Sequence, residues 1–323
     1  DCEKSLSLPK ICGDPVCGAF PESDFAPGRV ASVAANRIGF MITLDTIRKP
    51  VTAELEAFDE FVDRQFTAEG ELLSDMLRYA LSSRGKGIRP LLVLLSAAMN
   101  SPVAEAAKGR RVHLAAMLVE MIHVASLIHD DVIDEADTRR GRASANAKWQ
   151  SRNAVVLGDY ILARTMASGM ESAQYDLVSH IIGSVATICE GEVLQSQHSR
   201  DMDTTRQDYL EIIYKKTASL ISVSASAGAV SVIAPRGDVE QMRRFGEALG
   251  MAFQIQDDIL DYSRSAHTGK PANNDLRERK ITLPLIEVLE QCTPAERMRL
   301  LDCLSQCASD QAAVDYIQGV VEN

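Results

Sequence analysis

From Asp45 onward, apolar residues recur at helical intervals. Leu55, Phe58, Phe61, Val62 and Phe66 follow i, i+3 and i+4 steps, as do Leu72, Met76, Leu77 and Ala80, so each set shares one face of a helix. No strict alternation bounded by hairpin turns appears, and no sheet is expected. In the stretch 114–133, Met117, Met121, Val124 and Ile128 line one side while Leu118, Ile122, Ala125 and Ile133 fall on others. That is the pattern of a helix buried nearly all round, yet it runs straight into His129-Asp130-Asp131. The stretch 245–261 repeats the arrangement, with Phe245, Leu249, Phe253 and Ile259 leading to Gln256-Asp257-Asp258. The spacing therefore predicts an all-α protein in which two buried helices each carry acid at one end. Residues 1–42 break the pattern with Pro9, Pro15, Pro21, Pro27 and several glycines, and read as a poorly ordered N-terminal extension. Residues 43–323 are the expected folded body; Met41 would make a plausible natural start.

Each acidic cluster, Asp130/Asp131/Asp134 and Asp257/Asp258/Asp261, has the spacing i, i+1, i+4. At about 100° per residue the first and third carboxylates stack roughly 40° apart, and the second lies about 100° round. Like charges so placed repel, and a cation must offset them. A single cluster of this kind is commonly a solvated helix end. Two on apolar helices are different, because burying uncompensated carboxylates costs several kcal/mol apiece. Mg²⁺ suits them: it takes oxygen ligands and is usually held by one or two carboxylates plus substrate phosphates. There is no EF-hand loop with its sixth-position glycine to suggest a dedicated Ca²⁺ site.

The remaining composition narrows the class. With 34 Lys and Arg against 45 Asp and Glu, the formal charge is −11, which argues against a nucleic-acid partner. No apolar run is read as reaching the roughly 18 to 20 residues of a bilayer span; 91–99 is too short. The seven cysteines are odd in number, with no CxxC and no zinc spacing, which fits a reducing, cytoplasmic compartment. The acidic N-terminus has no basic region followed by an apolar one, so no targeting segment is expected.

Basic groups stand near the acids in unusual contexts. In 84–90, RGKGIRP, Lys86 and Arg89 stand three residues apart in a glycine-containing turn that opens an apolar helix, where free backbone N–H groups favour an anion. Arg139-Arg140-Gly141 closely follows the first cluster. Arg is the better bidentate phosphate ligand, so Arg89, Arg139 and Arg140 stand out over Lys216-Thr217 and Lys270, each alone an ordinary surface pattern. His123 lies two turns before Asp130; alone it reads as a satisfied core residue.

Taken in order, these segments closely resemble the trans-type isoprenyl diphosphate synthases: GKGIRP at 85–90, EMIHVASLIHDDVIDEADTRRG at 120–141, LGDYILAR at 157–164, EGEVLQ at 190–195, YKKTASL at 214–220, FQIQDDILDY at 253–262 and GKPANNDLRERKITLPL at 269–285. The resemblance implies one large antiparallel helical bundle around a central cavity, usually a homodimer. It implies that both aspartate clusters, about three Mg²⁺ ions, Arg139, Lys216, Thr217, Phe253, Gln254 and Lys270 hold an allylic diphosphate primer. Gly85, Lys86, Arg89, His123 and Arg140 would hold isopentenyl diphosphate. Ionisation of the allylic diphosphate, attack by the isopentenyl double bond and loss of a proton, with the released diphosphate as base, would follow.

The chain departs from the family pattern in three places. Its loop has one glycine before Lys86 and Gly87 where a second basic residue is usual; Asn273 and Arg279 stand where glycines are common; and it stops at Asn323, short of the helices expected to close the bundle. Product length in such enzymes depends on what blocks the cavity below the first cluster. Ala125 and Ser126 stand where short-chain members tend to carry an aromatic, and Met121 and Ile122 follow, so a long-chain all-trans product of about six to ten isoprene units is expected, with peripheral membrane contact for its release. The alternatives are a short-chain synthase, a class I terpene cyclase, which would carry an Asn/Ser/Glu metal motif in place of the second cluster, and a non-catalytic subunit of a heteromeric synthase.

Overall fold

Each long apolar period in the sequence is a helix in the computed structural model, which describes residues 42–82, 85–101, 108–262 and 273–322. Residues 1–41 of the expected extension, Arg84 and Lys270 lie outside the described residues. After α1 (Leu44–Arg48) and a 3₁₀ turn come α2 (Thr52–Gln65), α3 (Glu71–Leu81), α4 (Ile88–Asn100) and α5 (Arg110–Ile133). A two-residue hairpin, β1 (Thr138–Arg139) and β2 (Arg142–Ala143), leads into α6 (Ala145–Glu171) and α7 (Tyr175–Asp201). Then follow α8 (Arg206–Ile213), a π-helical turn at Tyr214–Ala218, α9 (Ser219–Ser231) and α10 (Arg236–Asp261). The short α11 (Asn274–Arg277) and α12 (Leu283–Gln291), α13 (Pro294–Gln306) and α14 (Gln311–Val321) complete the described part.

The all-round apolarity of α5 places it at the centre, packed against α2, α4, α6, α7 and α9. Met117, Leu118 and Met121 on it are at most 1% exposed, and burying each such side chain contributes about 1.5–3 kcal/mol. Helix α9 works differently. Ser224, Ala225, Ser226, Ala227, Gly228 and Ala229 are all buried, and their small size lets α4 and α10 approach closely. A Cβ at Gly228 would collide with the Val93 carbonyl of α4. A second apolar cluster, including Tyr209, Tyr262, Leu276, Leu285, Leu300 and Val314, lies beneath the end of α10.

Three expectations are corrected. The absence of any sheet fails at β1 and β2, where strands of two residues are too short to alternate. The absence of span-length apolar helices also fails: α5 and α7 are each long and apolar enough to cross a bilayer, by length and mean hydropathy alone. Most of α5 is buried within the fold, whereas the apolar window of α7 is largely uncovered. Finally, α10 is not buried nearly all round. Phe245, Leu249, Phe253 and Ile259 are 37–57% exposed, and the helix packs through Gly246 and Gly250, where a Cβ would meet Ser222 and Ala218 of the neighbouring segment. The apolar stripe was read as the contact face, but the glycines are.

Candidate active site

The first cluster closes α5 at its C-terminal end, where the helix dipole is negative and adds to the repulsion among the carboxylates. Asp131 is 3% exposed and is met by a charge: Arg139 Nε donates to its Oδ1 at 2.8 Å, and a second guanidinium nitrogen reaches the same oxygen. Burial pushes the Asp130 carboxyl up to about 6, with Glu192 and Asp134 adding to the shift and Lys216 and Arg139 opposing it. Asp134 is raised as well, chiefly by burial, against the pull of Lys280.

In the second cluster, Asp258 is buried and accepts two hydrogen bonds, from Tyr209 Oη at 2.7 Å and from Gln254 Nε2 at 2.7 Å. Desolvation still lifts it to about 6. Gln254 Oε1 in turn accepts from Thr217 Oγ1 at 2.8 Å. Thr217 and Lys216 sit in the π-helical turn, a local widening of the helix that often marks a functional position. Gly191 of α7 makes room for that turn, since a Cβ there would lie 2.9 Å from Lys216 Cγ. The Lys216 ammonium lies 2.5 Å from Glu192 Oε2 and also donates to Gln195. Asp261 accepts from the backbone N–H groups of Asn274 at 3.3 Å and Asp275 at 3.1 Å, so it fixes the start of α11.

The segment that begins there joins the two clusters. Lys280 is paired with Glu278 and attracted by Asp134 of the first cluster and by Asp275. Asp275, pushed up to about 7 mainly by burial, feels Asp261 and Asp258 of the second cluster and is pulled back by Lys280. The segment 274–280 thus runs from Asp261 of the second cluster to a half-buried lysine attracted by Asp134 of the first.

A second anion-ready region lies two turns back along α5 from the first cluster. Gly85 and Gly87 have φ of +73° and +56°, a left-handed path that glycine takes without strain. The Arg140 guanidinium occupies the space a Gly85 side chain would fill. Burial lowers Arg89 to about 10, Glu120 pulls it back and Arg140 lowers it further; its Nε is buried without a hydrogen-bond partner. Burial and then the charges of Arg89, Arg140 and Arg139 hold the His123 ring well below the ordinary imidazole value. His123 is therefore a neutral hydrogen-bonding group among three arginines. Lys86, in the same loop, is exposed, and its carbonyl accepts from Arg48. A hollow beside them is lined by Tyr79, His123, Val124, Leu127, Ile128, Asp131 and Arg139 among others.

The proposed chain-length positions divide. Ser126 is half-buried, its hydroxyl donating to the His123 carbonyl at 2.9 Å. Met121, Ile122 and Ala125 are at most 2% exposed, packed in the core rather than lining that hollow. A helix apolar on every side gives no periodic signal that separates a tunnel face from a core face. Phe253 lies one turn before Asp257 on the uncovered side of α10, 57% exposed. Sequence reasoning assigned nothing to Glu120, Glu192, Gln195, Tyr209, Asp275 or Lys280. Glu192 and Gln195 lie in EGEVLQ, and Lys280 directly precedes the apolar ITLPL, which were the available signals.

Among the described residues, no three His, Cys, Asp or Glu side chains are gathered into a ready-made metal cage. The donor set is nonetheless suited to Mg²⁺, which needs one or two carboxylates and takes its other ligands from phosphate and water.

Comparison with known proteins agrees with this geometry. Residues 70–321 match the family model described as Polyprenyl synthetase. The all-trans-nonaprenyl-diphosphate synthase (geranyl-diphosphate specific) of Rhodobacter capsulatus is 34% identical over 278 residues, covering 86% of this chain and 83% of that protein. A crystal structure of a decaprenyl diphosphate synthase from Rhodobacter capsulatus, 31% identical, aligns with a TM-score of 0.79 over 86% of this chain and 85% of that one. A polyprenyl synthase from Caulobacter crescentus CB15, solved with calcium and isoprenyl diphosphate, is 28% identical, with a TM-score of 0.79 over 89% of this chain and 86% of that one. With the family model matched along most of its length and the same helical architecture, the chain belongs to the polyprenyl synthetase family, prenyltransferases built on the all-α isoprenoid synthase fold.

Proposed function

We propose that this enzyme condenses an allylic diphosphate with isopentenyl diphosphate, in a Mg²⁺-dependent reaction, to build a long-chain all-trans polyprenyl diphosphate. The observation that carries the reading is the segment after α10: Asp261 of the second cluster anchors its start through the N–H groups of Asn274 and Asp275, and Lys280 at its end is attracted by Asp134 of the first. Asp130, Asp131, Asp134, Asp257, Asp258 and Asp261 would hold about three Mg²⁺ ions, which supply the charge that offsets the departing diphosphate. Asp131, Asp258 and Asp261 also fasten Arg139, the Tyr209–Gln254 pair and the backbone of 274–275, so their loss disturbs the site's shape as well as its metal. Lys216, Thr217, Arg139, Gln254, Phe253 and Lys270 orient the allylic diphosphate. Gly85, Lys86, Arg89, His123 and Arg140 hold isopentenyl diphosphate, with neutral His123 donating a hydrogen bond among the three guanidinium charges. The allylic C–O bond breaks to release diphosphate, the double bond so placed attacks the resulting allylic cation, and the released diphosphate takes the proton that the condensed cation loses.

Support for a long product comes from the decaprenyl and nonaprenyl synthases that the chain resembles, and from the small Ala125 and Ser126 near the first cluster. Divalent-metal use agrees with the calcium in the Caulobacter crescentus structure. Uncovered apolar residues on α6 and α7, among them Val156 and Val193, at 58% and 69% exposure, suit a homodimer interface. We further place the enzyme in the cytoplasm, with peripheral membrane contact for product release. Incubation with labelled isopentenyl diphosphate and farnesyl diphosphate, followed by thin-layer chromatography, should give a product of about six to ten isoprene units, as small residues in place of an aromatic near Asp130 allow. A product that stops at C15 or C20 contradicts the long-chain reading.

A further inference from the structure

The two loops that form the isopentenyl diphosphate cradle come from distant parts of the chain, and one side chain ties them together. Tyr79 sits on the last turn of α3, just ahead of the loop that carries Gly85, Lys86 and Arg89. Its hydroxyl donates to the Ala143 carbonyl, in the second strand of the hairpin, at 2.7 Å. Arg142 of that strand lies over the Tyr79 ring, 4.4 Å from its centroid, and donates to Ser82 Oγ at 3.1 Å. From the start of α6, Lys148 lies 4.0 Å from the same ring, and Trp149 packs edge-on against it at 5.1 Å and 87°. Ring, hydroxyl and neighbours thus clamp the base of the hairpin. At the hairpin's tip, Arg140 is held with φ +54° between Arg139 and Gly141, a left-handed conformation that a non-glycine residue keeps only when its surroundings enforce it. There its guanidinium rests on Gly85, while Arg139 is tied to Asp131. Tyr79 also lines the hollow beside His123 and Arg139.

We propose that Tyr79 is a positioning residue for the isopentenyl diphosphate site: by clamping the hairpin to the end of α3, it fixes Arg140 against the Gly85 loop and keeps the cradle preformed, while Arg139 stays anchored independently by Asp131. The inference rests on the reading of Arg89, His123 and Arg140 as that cradle. A preformed cradle lowers the ordering cost of binding, so its loss weakens binding of one substrate and leaves the chemistry alone.

Steady-state kinetics of the Tyr79→Leu and Tyr79→Phe enzymes test this. Tyr79→Leu removes the ring platform and should raise the KM for isopentenyl diphosphate about tenfold, with kcat and the KM for the allylic primer within about twofold of wild type. Tyr79→Phe keeps the platform and loses only the bond to Ala143, and should fall between the two. An unchanged KM for isopentenyl diphosphate in both variants, with melting temperatures like wild type, overturns the proposal, as does an equal rise for both substrates. Arg140→Gln separates the failures. If it also leaves that KM unchanged, the cradle reading itself is wrong; if it raises the KM while Tyr79→Leu does not, the cradle stands and the positioning role falls.

Discussion

Asp130 and Asp258 hold their protons up to about pH 6, and this sets how the site answers to acid. A protonated carboxyl cannot ligate Mg²⁺, so proton and metal compete. We expect kcat/KM to fall below about pH 6, and the midpoint of that fall to move to lower pH as Mg²⁺ is raised; a midpoint indifferent to Mg²⁺ would separate these carboxyls from the metal. Asp275 is pushed up to about 7, so the folded protein binds more protons than the unfolded chain between the ordinary carboxylate range and that value. Stability is therefore lost as pH rises through this window. Asp275→Asn mimics the neutral form, and its melting temperature without metal should approach wild type near pH 4 and exceed it by a margin that widens up to about pH 7. His123 alone reads as a core residue and entered only through the resemblance, but the aspartates and arginines stood out as candidates and were legible because their spacing is unusual. Tyr209 and Lys280 were not, because an isolated Tyr or Lys has no spacing to read, and only tertiary contact with Asp258 or Asp134 gives it a role.

Among the elements, α5 serves as both core and bearer of the first cluster. Truncation of Leu118, 1% exposed, should cost about 2–5 kcal/mol in urea unfolding, since the cavity would lie among helices that cannot all close in. Helix existence was legible from the apolar period, and the all-α class with it. What each face touches was not. On α10 the apolar stripe faces outward and the glycines face α9, because close approach between helices is governed by small residues and not by hydrophobicity. The hairpin escaped notice for another reason: its two-residue strands carry no alternation, and its turn is made by Arg140-Gly141 rather than by a typical turn pair. The π-helical turn at Lys216 likewise leaves no trace in the spacing.

Across the whole molecule, the acidic net charge and the affinity for diphosphate are reconciled by placement. Two candidate anion-binding regions lie along the C-terminal half of α5, one at its end lined by carboxylates and one two turns back among guanidinium groups. In the proposed reaction the first would take a cation to accept the leaving diphosphate, and the second would accept an anion directly. The central claim is that the two aspartate clusters act on one diphosphate through shared metal ions. Calorimetric binding of an unreactive allylic diphosphate analogue tests it directly, using wild type, Asp130→Ala, Asp257→Ala and the double variant, each with and without Mg²⁺. Binding should require Mg²⁺, each single change should weaken it about a hundredfold, and the double change should cost little more than either, because the residues work as a unit. Tight binding without Mg²⁺, or two losses that simply add, would contradict the account.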